Sequence, residues 1–239
     1  SLRVRLFASL VEAVGAEEVS LPAQGDDTVG TLESRLRDEH EGLRETVFRI
    51  AVDQAYAQFK DVDEGANADY IPILATVPSD MFGVVIVTRD GKVFSAGEMD
   101  YEFSIQSVSK PFPASLVMAQ QGPAAVRTKI GVEPTGLPFN SKMALELYDA
   151  RSVNPLVNAG AIAAVSLVDA DSEADRWDQI HGNLNDYAGR ELTVLEEVYT
   201  SEYEESWSNR AIANLLFNYG RLYSEPEQTL RVYTRQCST

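Results

Sequence analysis

The stretch Phe103-Ser-Ile-Gln-Ser-Val-Ser-Lys-Pro-Phe112 holds the single Ser-x-x-Lys of this 239-residue chain. Ser107 and Lys110 stand three residues apart, so on a helix they share one face. A hydroxyl attacks poorly until a neighbouring base takes its proton, and a lysine desolvated enough to be neutral can be that base. The pair alone carries little weight: five lysines and 19 serines give about 0.4 such pairs by chance. The flanking sequence decides its meaning.

Upstream, Phe82–Thr88 reads as a buried strand, Arg89-Asp-Gly-Lys92 as a tight turn, and Val93–Ala96 as the return strand of a hairpin. Downstream, Pro111 and Pro113 remove two helix N–H groups just after Lys110. Then come an apolar helix from Asn158 through Val168, a polar and charged stretch 171–190, and helices near Asn209–Tyr219 and Pro226–Cys237. A hairpin followed by a largely helical body predicts an α+β fold.

The N-terminal part has its own pattern. Residues 2–7 alternate apolar and basic as a strand does, Ser9–Val14 reads as a short helix stopped by Gly15, and Glu18–Leu21 as a second strand. Thr28 then caps a helix with Val29, Leu32 and Leu36 on one face. Residues 48–53 read as the next strand, yet Val47, Ile50, Ala51, Ala55 and Phe59 equally fit one face of a helix over 45–59. The domain boundary is placed near residue 45, giving segments 1–45 and 46–239.

Net charge is −17 and only five of the 20 basic residues are lysine. Nucleic acid and anionic membranes need clustered Lys and Arg, so both are excluded as partners. The balance fits a salt-adapted surface or a plain acidic cytosolic protein. Cys237 is the only cysteine, which rules out an internal disulfide and suits a reducing cytoplasm. No apolar run is long enough to cross a bilayer, and Ser1 in place of Met fits a processed or cut start. The two histidines, His40 at a helix end and His181 in a turn, have no partner at metal-ligand spacing and no Gly-x-Ser-x-Gly nearby. Neither a metal site nor a Ser-His-Asp triad is expected.

Ala68-Asp-Tyr-Ile-Pro72, Phe103–Lys110, Asn154-Pro-Leu-Val-Asn-Ala-Gly-Ala-Ile162, and Tyr199-Thr-Ser-Glu202 with Asn209-Arg-Ala follow in order, closed by Tyr233-Thr-Arg-Gln-Cys-Ser238. From about residue 47 to the end, these blocks resemble the serine-dependent glutaminases, which share the fold of serine β-lactamases and penicillin-binding proteins. The resemblance implies Ser107 as nucleophile and Lys110 as proton-transfer partner, with Tyr70, Asn158, Glu202, Asn209 and Tyr233 holding L-glutamine beside Ser107. It implies no cofactor and a homo-oligomer. Taken singly, each residue has a plainer reading: Asn158 as a helix cap, Tyr70 as a packed loop aromatic, Glu202 as a solvated charge, Tyr233 as core, and Asn140 and Asn154 as turn residues. Residues 1–57 resemble a ubiquitin-like (β-grasp) sulfur carrier of the molybdopterin-synthase small-subunit type. The chain has no Gly-Gly, so carrier chemistry is not expected.

Against the family, the chain reads as C-terminally truncated. Members continue past Gln-Cys-Ser with a helical segment, a second active-site tyrosine and a Lys-Ser-Gly plus glycine-rich strand that gives one oxyanion donor. Loss of such a donor costs on the order of 100- to 1000-fold in rate. Two rivals therefore stand beside the glutaminase: an acyl-serine hydrolase of β-lactams or peptides, and a non-catalytic fragment or binding module.

Overall fold

The computed structural model describes residues 2–6, 9–25, 27–148 and 152–239. Backbone packing divides the chain into two units, Ser1–Ala66 with Pro78–Tyr101 and Asn67–Val77 with Glu102–Thr239.

The first unit runs β1 (Leu2–Arg5), α1 (Ser9–Val14), β2 (Glu18–Leu21), α2 (Val29–Glu39), α3 (Glu41–Phe59), β3 (Gly83–Val87) and β4 (Val93–Gly97). β1 and β2 pair antiparallel with Leu2 opposite Leu21 and Val4 opposite Val19. Alternation then sends Leu21 and Val19 inward to join Leu6, Leu36 and Leu43 in a small core. Thr28 caps α2 as its sequence requires: its Oγ1 accepts from Thr31 N, and Thr31 Oγ1 accepts from Thr28 N in return. His40 joins α2 to α3. Phe7, expected in the first strand, and the side chains of Val29, Val47 and Ile50, expected on helix faces, lie outside the described residues.

Residues 48–53 are not a strand; they lie inside α3. No glycine or proline interrupts Leu43–Glu64, and α3 packs against α1, α2, β3 and β4. A helix covered on several sides carries apolar residues all round, which imitates a strand in a short window.

The hairpin β3–β4 forms with Val87 opposite Val93, and Gly91 at φ +83° makes the turn that a side chain would oppose. β3 is not the buried strand expected. Val85 and Val87 are 44% and 64% exposed, because the sheet has two strands and α3 packs against one face.

Among its described residues, the second unit holds two 3-10 turns, Pro72–Thr76 and Gln106–Ser109, and eight helices. These are α4 (Pro111–Gln121), α5 (Pro123–Lys129), α6 (Met143–Leu147), α7 (Asn158–Leu167), α8 (Glu173–Ala188), α9 (Glu196–Glu204), α10 (Trp207–Asn218) and α11 (Pro226–Cys237). All ten residues of α7 are buried, and α4, α10 and α11 pack around it. Its alanines and Gly160 let neighbours approach closely: a Cβ at Gly160 would collide with the Asn154 carbonyl.

Stretch 171–190 is largely one helix, α8, capped by Ser172 and ended by Gly189 in the left-handed conformation. Only Arg176, Ile180 and Leu184 are buried on it, too sparse an apolar stripe to stand out in the sequence. His181 therefore sits in a helix, not a turn; it stacks on Trp177 at 4.9 Å, and its Nε2 lies 2.9 Å from the Leu192 carbonyl. Pro111 and Pro113 fall in the first turn of α4, where N–H groups have no intrahelical acceptor, so both are accommodated without a lost bond. The described residues form a mixed, helix-rich fold with two small sheets. Among the described residues, no helix is long and apolar enough to cross a membrane.

Candidate active site

Ser107 and Lys110 do not share a regular α-helix. Ser107 lies on the 3-10 turn Gln106–Ser109 and Lys110 is the residue that caps α4. In a 3-10 turn, residues i and i+3 eclipse, and the Lys110 N–H donates to the Ser107 carbonyl at 3.3 Å. Ser107 is exposed, and its hydroxyl has no hydrogen-bond partner among the described residues. Lys110 is 2% exposed. The turn is entered through Gln106 at φ +49°, a left-handed conformation that non-glycine residues seldom adopt.

Lys110 Nζ donates to Asn158 Oδ1 at 2.7 Å, and Asn158 Nδ2 donates to Asn209 Oδ1 at 2.9 Å. Three predicted residues thus form one chain across α4, α7 and α10. Asn158 does not cap α7: Val157 holds that position, and the Asn158 side chain turns to Lys110 instead. Lys110 Nζ also lies 5.3 Å from the centre of the Phe139 ring, a cation–π distance. Burial pushes the Lys110 pKa down, partly offset by Cys237 and Glu202.

Glu202 is drawn in from α9. Burial pushes its pKa up to about 7, while the Gln106 amide and the Lys110 charge pull the other way. Gln106 Nε2 lies 3.0 Å from Ser104 Oγ and 3.5 Å from Glu202 Oε2. Glu202 is thus no freely solvated charge. A cavity of about 270 Å³ is lined by Tyr70, Phe139, Asn140, Asn158, Glu202 and Asn209, among others. Tyr70 is 66% exposed rather than packed. Asn154 behaves as a turn residue, its Oδ1 accepting from Leu156 N at 2.9 Å.

Tyr233, Ser107 and Lys110 do not line that cavity. Tyr233 is 2% exposed and belongs to the core around α7. Burial holds both it and the Cys237 thiol protonated, with Cys237 pushed up to about 12. Gln106 and Phe139 were not singled out in the sequence. Gln106 stands beside Ser107 in the deciding motif and could have been; nothing in the sequence marked Phe139.

Behind the site runs a stack of rings and guanidinium groups. His181 lies on Trp177, Arg235 sits 5.5 Å from the Trp177 ring and 5.7 Å from Tyr199, and Tyr199 stacks on Tyr203 at 5.7 Å. Arg210 closes the series, 4.7 Å from Tyr203 and 5.3 Å from Trp207. Glu202 and Asn209 immediately precede Tyr203 and Arg210, so the stack ties together the helices that present them. Among the described residues, no three His, Cys, Asp or Glu side chains are grouped to hold a metal ion.

The family model described as Glutaminase matches residues 65–239. This chain belongs to the glutaminase family. The glutaminase of Mycobacterium ulcerans (strain Agy99) is 51% identical over 189 residues, 79% of this chain and 59% of that protein. That of Colwellia psychrerythraea (strain 34H / ATCC BAA-681) is 49% identical over 195 residues, 82% of this chain and 63% of the relative. Among solved structures, the probable glutaminase ybaS superposes with a TM-score of 0.78 at 49% identity, over 80% of this chain and 62% of that one. Mglu in its Tris and glutamate form gives 0.74 at 34% identity, over 80% and 42%. This glutaminase-family chain spans 59% of the M. ulcerans relative and 63% of the Colwellia one.

Proposed function

We propose that this chain hydrolyses the side-chain amide of L-glutamine to L-glutamate and ammonia through an acyl-enzyme on Ser107. Ser107 Oγ forms a bond to the amide carbon, and its proton passes to Lys110. The C–N bond breaks, Lys110 returns the proton to the leaving nitrogen, and ammonia departs. Water then attacks the glutamyl ester, Lys110 again moving the proton, and Ser107 is restored.

The observation that carries this reading is Lys110 itself: a lysine 2% exposed, anchored to Asn158, and three residues from an exposed serine. Burial favours its neutral form. The bond to Asn158 Oδ1 occupies one N–H of that amine and leaves its lone pair free for the Ser107 proton. Glu202 suits the substrate ammonium, and Asn158, Asn209 and Tyr70 offer donors for its carboxylate. Tyr233 is assigned with them, within electrostatic reach of Glu202 and Tyr70. These groups fit a free amino acid better than a β-lactam or a peptide. The glutamate named for the Mglu structure is the product this reaction would leave.

The same reading extends to the rest of the chain. The body over 46–239 is assigned the β-lactamase-like architecture and residues 1–45 a β-grasp-like segment; the antiparallel β1–β2 pair followed by α2 supports the latter. A homo-oligomer and a cytoplasmic setting complete it, the buried free thiol of Cys237 fitting a reducing compartment.

Ammonia release from L-glutamine by the purified protein, beside Ser107→Ala, tests the proposal. Turnover abolished by the substitution is expected; turnover unaffected by it, or hydrolysis of nitrocefin without that of glutamine, overturns it.

A further inference from the structure

We propose that Ser109 is a positioning residue, its buried hydroxyl clamped by Gln236 and Cys237 of α11 to hold the turn that carries Ser107 and Lys110. This rests on the reading of Ser107 and Lys110 as the reacting pair.

The turn has little to hold it in place by itself. Its own backbone bonds are long, 3.2 Å from Val108 N to the Ile105 carbonyl and 3.3 Å from Lys110 N to the Ser107 carbonyl, against about 2.9–3.0 Å for a good N–H···O bond. It is entered through the unfavourable conformation of Gln106. Ser107 and Val108 face solvent, and Ser109 is the only residue of the turn that is buried.

Ser109 is 0% exposed, and both of its hydroxyl contacts lie on α11. Gln236 Nε2 donates to Ser109 Oγ at 3.3 Å. That leaves the Ser109 hydrogen free for Cys237 Sγ at 3.8 Å, a distance suited to sulfur. Gln236 is also fully buried, and its Oε1 has no partner. Among the described residues, Ser109 alone satisfies this buried amide, and losing the hydroxyl would leave both of its ends unpaired. A backbone bond from Ile105 N to the Thr239 carbonyl, 2.9 Å, fixes the entry to the turn from the same end of α11.

The test compares Ser109→Ala, Gln236→Met and the double variant with the unaltered protein, by ammonia release and by hydrogen exchange of the 105–110 amides. Each single variant is expected to lower kcat about 10- to 100-fold with KM held within about threefold. Exchange over 105–110 should quicken about tenfold or more. The double variant should fall no further than the worse single one, because the hydroxyl and amide act as a unit. Unchanged kcat with unchanged exchange in Ser109→Ala overturns the inference, as does a loss confined to KM. If Ser109→Ala does not fold, Gln236→Met decides by the same criteria. If the unaltered protein releases no ammonia, the glutaminase reading fails by itself, and the exchange data alone decide whether Ser109 holds the turn.

Discussion

Lys110 Nζ lies 2.7 Å from Asn158 Oδ1, inside a structure that leaves this lysine almost no contact with water. A neutral amide is the acceptor, so the bond orients the amine without fixing its proton as a carboxylate would. Asn158→Asp should place a negative charge there, raise the Lys110 pKa and move the rise of kcat with pH to more alkaline values. Asn158→Leu leaves the buried amine without its acceptor and should destabilise the protein by about 1–3 kcal/mol. A kcat–pH profile and urea melts read the two effects.

Glu202 titrates in the opposite sense from an ordinary surface carboxylate. Its folded pKa of about 7 lies above the unfolded value of 4.5, so the fold favours the protonated form. Stability from this group is full below about pH 4.5 and is lost as pH rises through 7. On the proposed role of Glu202 in holding the substrate ammonium, binding needs the charged form, so KM for glutamine should fall as pH rises from 6 to 8 and then level off. Glu202→Gln should raise KM roughly 100-fold or more, remove that pH dependence, and make the protein more stable than the parent at pH 8.

At Gly160 the Asn154 carbonyl leaves no room for a side chain. Gly160→Ala should force the 154–157 loop away from α7 and cost about 1–3 kcal/mol. Distortion of the first turn of α7, which carries Asn158, would lower kcat as well. Chemical denaturation beside steady-state kinetics distinguishes this from the usual mild gain of alanine over glycine in a helix.

With a net charge of −17, the folded chain repels itself, and added salt screens that repulsion. The melting temperature should rise between low salt and molar KCl. A flat curve would assign the acidic surface to solubility alone.

The sequence motifs marked the polar cluster better than the local structure. Ser107, Lys110, Asn158, Glu202 and Asn209 stood in recognisable blocks, and Lys110, Asn158 and Asn209 meet directly. The geometry between them was not legible: spacing alone cannot tell an α-helix from the 3-10 turn that leaves Ser107 exposed and Lys110 buried. Asn158 read singly as a helix cap because the partner that draws it elsewhere lies 48 positions earlier in sequence. Residues 48–53 and α8 misled for opposite reasons. One is a helix covered on several sides, and the other is so polar that its apolar stripe is only a few residues long. Phe139 and Ser109 matter through contacts distant in sequence, which no local pattern displays.

The series of rings behind the site has a practical consequence. The chain has only two tryptophans, and both belong to it: Trp177 between His181 and Arg235, and Trp207 against Arg210. Indole emission from this protein therefore originates wholly from residues that brace the helices carrying Glu202 and Asn209. An unlabelled sample thus has an optical reporter of ligand arrival, and single replacement of either indole would tell which end of the series responds.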